Sequence, residues 1–124
     1  MEFMIDKVRL SYKEKNSIAR LKGRTGIDNW NVFARWAFCY SLSLNEEVIF
    51  TEDDKLEIEM TWMVFAGKNF KIYQDLLVQE CDKLGLAHNK ANLTKVLRYH
   101  LKNGVNKMYG QINNISSFRD IATD

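Results

Sequence analysis

The chain has 124 residues, of which 46% are hydrophobic and 27% charged, and its formal net charge is +2 at pH 7. This composition excludes a disordered chain, and the length predicts one domain, residues 1–124, large enough to bury a core. Apolar runs fall well short of the roughly 20 residues that span a bilayer, and no secretory signal is visible. We therefore expect a cytoplasmic protein that makes no membrane contact.

The composition also favours helices and argues against a disulfide scaffold. The chain has no proline, which removes the strongest helix breaker. Its two cysteines, Cys39 and Cys81, lack the spacing of a zinc site or a disulfide framework. We expect both thiols to be reduced and buried in the core.

The first predicted element is a short strand or extended arm over residues 4–10. Val8 and Leu10 alternate with the cations Lys7 and Arg9, which is the pattern of a half-exposed strand. The hydrophobic pair should therefore face the core and the cations should face solvent.

A first helix should follow immediately. Ser11 and Glu14 have the spacing of a capping box, so this helix should begin at about Tyr12. Gly23 and Gly26 bracket its predicted end, where glycine is common after the last turn.

This strand and helix carry a dense cluster of positive charge. Seven cations face one acid, Glu14, and they are Lys7, Arg9, Lys13, Lys15, Arg20, Lys22 and Arg24. Lys13, Arg20 and Arg24 share one helix face, and the start of the next helix adds free N–H groups that attract anions. The cluster therefore indicates binding to DNA phosphates, although a solvated helix face would have the same composition.

A second helix is predicted at about Asn29–Leu42, with Asp28 or Thr25 as its N-cap. One face consists of Trp30, Phe33, Ala34, Ala37, Phe38 and Ser41, and the other carries Val32, Trp36, Cys39 and Tyr40. A helix that is apolar nearly all round is buried on several sides, and a subunit interface would supply the extra burial.

An acidic segment follows, over residues 45–59, and we expect a loop with short strands at residues 48–50 and 56–60. Its clustered acids, among them Asp53, Asp54, Glu57 and Glu59, leave open a nicking enzyme that uses a divalent metal. Such catalysis needs carboxylates that converge from rigid elements, whereas adjacent acids in a loop are usually solvated. We therefore expect the protein to have neither a metal site nor a cofactor.

Two further helices complete the predicted fold, at about Asn69–Leu84 and Asn92–Ile112. The last helix has an apolar stripe of Leu93, Val96, Leu97, Leu101, Val105, Met108 and Ile112. Its opposite face carries Lys95, Arg98 and Lys102, which form an ordinary solvent face, a second basic surface or a surface for an acidic partner.

No set of residues has the spacing of a catalytic site. His88 and His100 have no ligand or nucleophile partner nearby in the sequence, so we interpret both as structural histidines. Cys39 lies in the most apolar helix and is expected to be packed instead of nucleophilic. The tryptophans are expected to fill the core or an interface.

Four segments in order resemble one known family. They are Val-Arg-Leu-Ser at 8–11, Arg-Leu-Lys-Gly-Arg-Thr-Gly-Ile at 20–27, Arg-Trp-Ala-Phe-Cys-Tyr-Ser-Leu at 35–42 and His-Leu-Lys-Asn-Gly-Val at 100–105. Together they resemble the DNA sulfur modification protein DndE family, a component of the bacterial DNA phosphorothioation system. The resemblance implies a small, mainly helical, non-catalytic homo-tetramer that binds duplex or nicked DNA beside sulfurtransferase-like and ATPase components.

The predicted fold class is mainly α, with about four helices after a start similar to the ribbon-helix-helix of Met repressor-type proteins. That similarity keeps a sequence-specific repressor or antitoxin open as the alternative function. The residues predicted to contact DNA are Lys7, Arg9, Lys13, Arg20, Lys22, Arg24 and Arg35.

Overall fold

The computed structural model describes residues 5–26, 29–51 and 55–111, with the side chains of Arg24, Thr25 and Gln111 outside that description. In chain order the elements are β1 (Lys7–Ser11), α1 (Tyr12–Thr25), α2 (Trp30–Leu44), β2 (Leu56–Thr61), α3 (Trp62–Ala66), a 3-10 turn (Gly67–Asn69), α4 (Phe70–Lys83) and α5 (Lys90–Gln111). The predicted class, a mainly helical domain that starts with a strand followed by a helix, is confirmed.

The start of α1 follows the predicted capping pattern. The backbone N–H of Glu14 donates to the Ser11 hydroxyl at 3.3 Å, and the Ser11 hydroxyl donates to the Glu14 carboxylate at 2.8 Å. At the other end, Gly26 adopts a left-handed conformation (φ 75°), and its N–H donates to the Lys22 carbonyl at 2.9 Å. Both predicted boundaries are therefore confirmed, and a local hydrogen bond caps the helix at each end.

Strand β1 pairs with β2 of the same chain in an antiparallel ribbon, with Arg9 opposite Glu59. Val8 and Leu10 are buried at 1% and 0% exposure, as their alternation predicted. The predicted strand at residues 56–60 is confirmed as β2. The strand predicted at residues 48–50 is wrong, since Phe50 instead packs against Tyr99 of α5.

The core forms mainly between α2 and α5. The buried face of α2 consists of Phe33, Ala34, Ala37, Phe38 and Ser41, and that of α5 includes Leu93, Val96, Leu97, Leu101, Val105 and Met108. The two backbones come so close that a Cβ placed on Gly104 would lie 1.9 Å from the carbonyl oxygen of Ala37. Both predicted apolar faces are confirmed over the described residues, except that Trp30 of the α2 face is only partly buried. Ile112 lies outside the described residues.

The start of α2 differs from the prediction. Asn29 occupies the N-cap position and forms no side-chain capping bond there, while Thr25 is the last residue of α1. Thr25 is therefore not the N-cap, because Gly26 turns the chain before α2 begins. The other proposed cap, Asp28, lies outside the described residues. At the far end α2 continues to Leu44, where Asn45 takes a left-handed conformation.

The burial of the cysteines agrees only in part with the prediction. Cys81 is fully buried, whereas Cys39 is exposed. The Cys39 side chain points away from α5 because it lies 100° around α2 from the buried Phe38. Desolvation by the surrounding residues nevertheless raises the pKa of its thiol, and nearby Arg35 opposes that change.

Over the residues that the structure covers, no helix is long and apolar enough to cross a membrane.

Candidate nucleic-acid interface

Two of the predicted DNA-contacting residues, Lys13 and Arg20, line one cleft between α1 and α5. The cleft measures about 500 Å³ and is otherwise lined by Asn16, Ser17, Asn106 and Tyr109. Lys13 and Arg20 lie seven residues apart on α1, so they project from the same face. The wall of the cleft thus combines two cations with amide and hydroxyl groups, all of which can donate to an anion.

Tyr109, on the α5 side of this cleft, holds Arg20 in place. The Arg20 guanidinium donates to the Tyr109 hydroxyl at 2.7 Å and lies 5.9 Å from the centre of that ring. The hydrogen bond to Tyr109 also raises the pKa of Arg20. The hydrogen bond and the ring contact therefore fix the position of the guanidinium against Tyr109.

The charge in the α1/α5 cleft is not neutralised within the described part of the chain. No carboxylate there pairs with Lys13 or with Arg20, whereas Lys7, Arg9 and Arg98 each have an acidic partner. A cationic cleft without internal counter-ions attracts an external anion more strongly than a surface of mixed charge.

The cleft continues into a basic stripe along α5. Lys95, Lys102, Asn106 and Tyr109 follow one another at intervals of seven, four and three residues, which places them on one helix face. From Lys95 to Tyr109 this face extends about 21 Å. We call the α1/α5 cleft together with Lys95 and Lys102 the basic surface.

Arg98 was predicted to lie on the same exposed face of the last helix, and that prediction is wrong. Its side chain is 7% exposed and forms an ion pair with Glu14, at 2.8 Å and 3.1 Å. It also donates to the Arg9 carbonyl at 2.6 Å. Burial of an arginine is stable here because a carboxylate and a carbonyl satisfy its donors.

The strand cations Lys7 and Arg9 lie at a different place from Lys13 and Arg20. They line a cleft of about 380 Å³ together with Lys90 and Thr94. Both side chains are about half exposed, and each approaches a Glu59 carboxylate oxygen at 3.2 Å. The hydrogen bond from Lys7 is the main cause that lowers the pKa of Glu59. Their charge is therefore partly neutralised on the ribbon.

Two further predicted contacts, Lys22 and Arg35, lie apart from the basic surface. Lys22 is half-buried and lines a third cleft, of about 220 Å³, with Trp30 and Ile58. Arg35 is partly buried and donates to the Phe65 carbonyl at 3.2 Å, so it joins α2 to α3. The side chain of Arg24 lies outside the described residues.

His100 is a structural histidine, as predicted, and its partners come from distant elements. Its Nδ1 lies 2.7 Å from the Ser41 hydroxyl and its Nε2 lies 2.6 Å from the Glu80 carboxylate. Burial lowers the pKa of His100, and the hydrogen bond that its Nε2 donates to the Glu80 carboxylate opposes this effect. Ser41 is only 2% exposed and His100 3%, so this Ser–His–Glu arrangement lies within the core.

The acidic segment is divided among several locations. Glu57 and Glu59 lie on β2, Glu46 pairs with Lys107, and Asp53 and Asp54 lie outside the described residues. In the parts of the chain that are described, no three His, Cys, Asp or Glu residues are placed to hold a metal ion.

The fold and the site together define a small, mainly helical domain with a basic cleft between its first and last long helices. The sequence model described as DNA sulphur modification protein DndE matches residues 7–116, and the chain therefore belongs to the DndE family. This membership gives the chain a role in the DNA phosphorothioation machinery, and it implies the other proteins of that machinery as partners.

A solved structure has the same fold. The crystal structure of DndE from Escherichia coli B7A, involved in DNA phosphorothioation modification, superposes with a TM-score of 0.66 at 21% sequence identity. The match covers 83% of this chain and 96% of that chain. No curated protein sequence matches the chain.

Proposed function

We propose that the chain is a non-catalytic, DNA-binding subunit of the phosphorothioation machinery, and that the basic surface contacts duplex or nicked DNA. The observation that carries this proposal is the cleft in which Lys13 and Arg20 face outward with no carboxylate partner in the described chain. DNA is the polyanion that this machinery acts on, and phosphate contacts supply most of the non-specific affinity for it.

The spacing of the cations fits a phosphate backbone. Lys13 and Arg20 are separated by about 10.5 Å of helix, which equals the rise of about three phosphates along one strand. Arg20, fixed by Tyr109, presents a planar fork of donors, while the Asn16 and Asn106 amides can donate beside it. Such contacts orient the duplex and carry no information about base sequence.

We further propose that the protein acts as a homo-tetramer in the cytoplasm. Apolar side chains support self-association, since Val64 and Ile72 are 53% and 59% exposed and Met63 is 42% exposed. Trp36 and Tyr40, on the outer face of α2, are only partly buried. A preference for nicked duplex and the count of four subunits are supported by the family resemblance of the sequence.

A mobility-shift titration tests the DNA-binding proposal. Exchange of Lys13 and Arg20 together for glutamate should weaken binding to a random-sequence duplex at least tenfold, because two attractive contacts become repulsive. The matched control exchanges the exposed Lys68 and Lys71, which carry the same charge and line none of the three clefts described above. Equal affinity for both double variants would overturn the proposal.

A further inference from the structure

Another cleft lies at the end of the basic surface, where the first half of α5 meets Phe50, Thr51 and Leu56. It measures about 320 Å³ and is lined by Phe50, Thr51, Leu56, Ala91, Thr94, Lys95, Arg98, Tyr99 and Lys102. Phe50 and Tyr99 are only partly buried, so their rings are accessible from the cleft. Its wall therefore contains aromatic rings, hydroxyl groups and cations.

The two rings have a fixed relation to each other. Their centroids are 6.1 Å apart at an interplanar angle of 78°, and the Tyr99 hydroxyl donates to the Glu47 carbonyl at 3.3 Å. The ammonium of Lys95 lies 4.4 Å from the centre of the Phe50 ring. The flexible side chain of Lys95 therefore lies over one face of the Phe50 ring, where a flat ligand can displace it.

Two of the three cations that line the cleft, Lys95 and Lys102, are available to an anion. No carboxylate in the described chain pairs with Lys95 or Lys102, and Arg98 is held by Glu14. Because Lys95 and Lys102 share a helix face with Asn106 and Tyr109, a polyanion bound along α5 passes the mouth of this cleft.

We propose that this cleft binds a single unstacked nucleotide of the bound DNA, with its base against Phe50 and its phosphate between Lys95 and Lys102. The inference rests on the proposed function and adds to it a preference for DNA that contains an unstacked nucleotide. The volume is at the lower end of the range of about 300–1,000 Å³ that is typical of small-ligand sites, so one nucleotide fits and a duplex does not. Stacking on an aromatic side chain accepts any base, so this site would not depend on the DNA sequence.

An acidic peptide would satisfy the lysines but would make no use of the Phe50 ring. A nucleotide uses both features, since it joins a flat aromatic group to an anion. The test must therefore separate the contribution of the ring from that of the charge.

Fluorescence anisotropy with two labelled probes makes this separation. One probe is an intact duplex, and the other is the same duplex with one unpaired nucleotide. We expect the full-length protein to bind the second about tenfold more tightly, as stacking of one base allows. Phe50→Leu should remove this difference and leave the affinity for the intact duplex unchanged. The matched control, Phe70→Leu, alters another partly buried phenylalanine and should retain the full preference.

A double variant, Lys95→Gln with Lys102→Gln, provides a second test if Phe50→Leu does not fold. These two side chains lie at the surface of α5, so their exchange should leave the fold intact. It should also reduce the preference for the unpaired nucleotide. Equal affinity of the natural protein for the two probes, or an undiminished preference in both variants, would overturn the inference while leaving duplex binding intact. Displacement of the bulged probe by an acidic peptide as readily as by a single-stranded oligonucleotide would also overturn it. Failure to bind either probe would instead refute the proposed function.

Discussion

Arg98 of α5 and Glu14 of α1 form a buried ion pair across 84 residues of chain, with side-chain exposures of 7% and 4%. Glu14 also accepts from the Ser11 hydroxyl, and Arg98 also donates to the Arg9 carbonyl. These contacts join β1, α1 and α5 at one point. They therefore set the relative position of the two helices that form the basic surface.

The first prediction concerns this ion pair. Arg98→Met should lower the free energy of unfolding by about 3–5 kcal/mol, because it leaves the Glu14 carboxylate buried without its counter-charge. A double variant, Glu14→Leu with Arg98→Met, should be more stable than the sum of the two single effects predicts, since no charge remains buried. Urea denaturation of all four proteins measures this coupling. Additive losses would show that the two groups do not interact.

The second prediction concerns the contact between α2 and α5. Gly104→Ala should destabilise the protein by about 1–3 kcal/mol or more, since the new Cβ would overlap the Ala37 carbonyl and push the helices apart. Gly110→Ala is the matched control in the same helix, where a Cβ meets nothing within 4 Å. That substitution should be neutral or stabilise by up to about 1 kcal/mol. Equal thermal midpoints for the two variants would contradict the close approach of the backbones.

The third prediction is a dependence of stability on pH that arises from His100. Burial holds its pKa below the ordinary value of 6.5, so the unfolded chain binds a proton at a pH where the folded protein does not. The free energy of unfolding should therefore fall as the pH drops from 7 through 6.5 and below. His100→Gln should be less stable at pH 7, by about 1–3 kcal/mol, because Ser41 and Glu80 lose a partner.

Chemical denaturation between pH 7 and pH 5 tests that prediction, and the variant should show a shallower slope than the natural protein in this range. Glu46 and Glu59 do not interfere, because their pKa values are lowered from 4.5 and their contribution is lost only at more acidic pH. The same slope in both proteins would show that His100 is not the titrating group.

Local features of the sequence predicted most of the fold. Ser11 and Glu14 marked the start of α1, Gly26 marked its end, and alternation identified the ribbon strand around Val8. Periodicity likewise predicted the buried stripe of α5. These features could be read from the sequence because each depends on hydrogen bonds or side-chain spacing within one element.

The errors arose where a residue is governed by a distant partner. Arg98 has the helical position of a solvent-facing cation, and only the buried Glu14 draws it inward. Phe50 follows a strand-like pattern but packs on Tyr99 instead. The sequence grouped Lys7 with Lys13 by proximity, whereas β1 and α1 carry them to different clefts. Charge clustering along the chain thus identified the cationic region but did not predict which of its residues share a cleft.

The salt dependence of duplex binding tests the central claim most directly. Lys13, Arg20, Lys95 and Lys102 should each release counter-ions from one phosphate, which gives a slope of log K against log salt of about −3.6. Replacement of Lys13 and Arg20 by glutamine should reduce that slope to about −1.8, while the same exchange at Lys68 and Lys71 should leave it unchanged. A slope near zero for the natural protein, or one that Lys13→Gln with Arg20→Gln does not alter, would contradict phosphate binding at the basic surface.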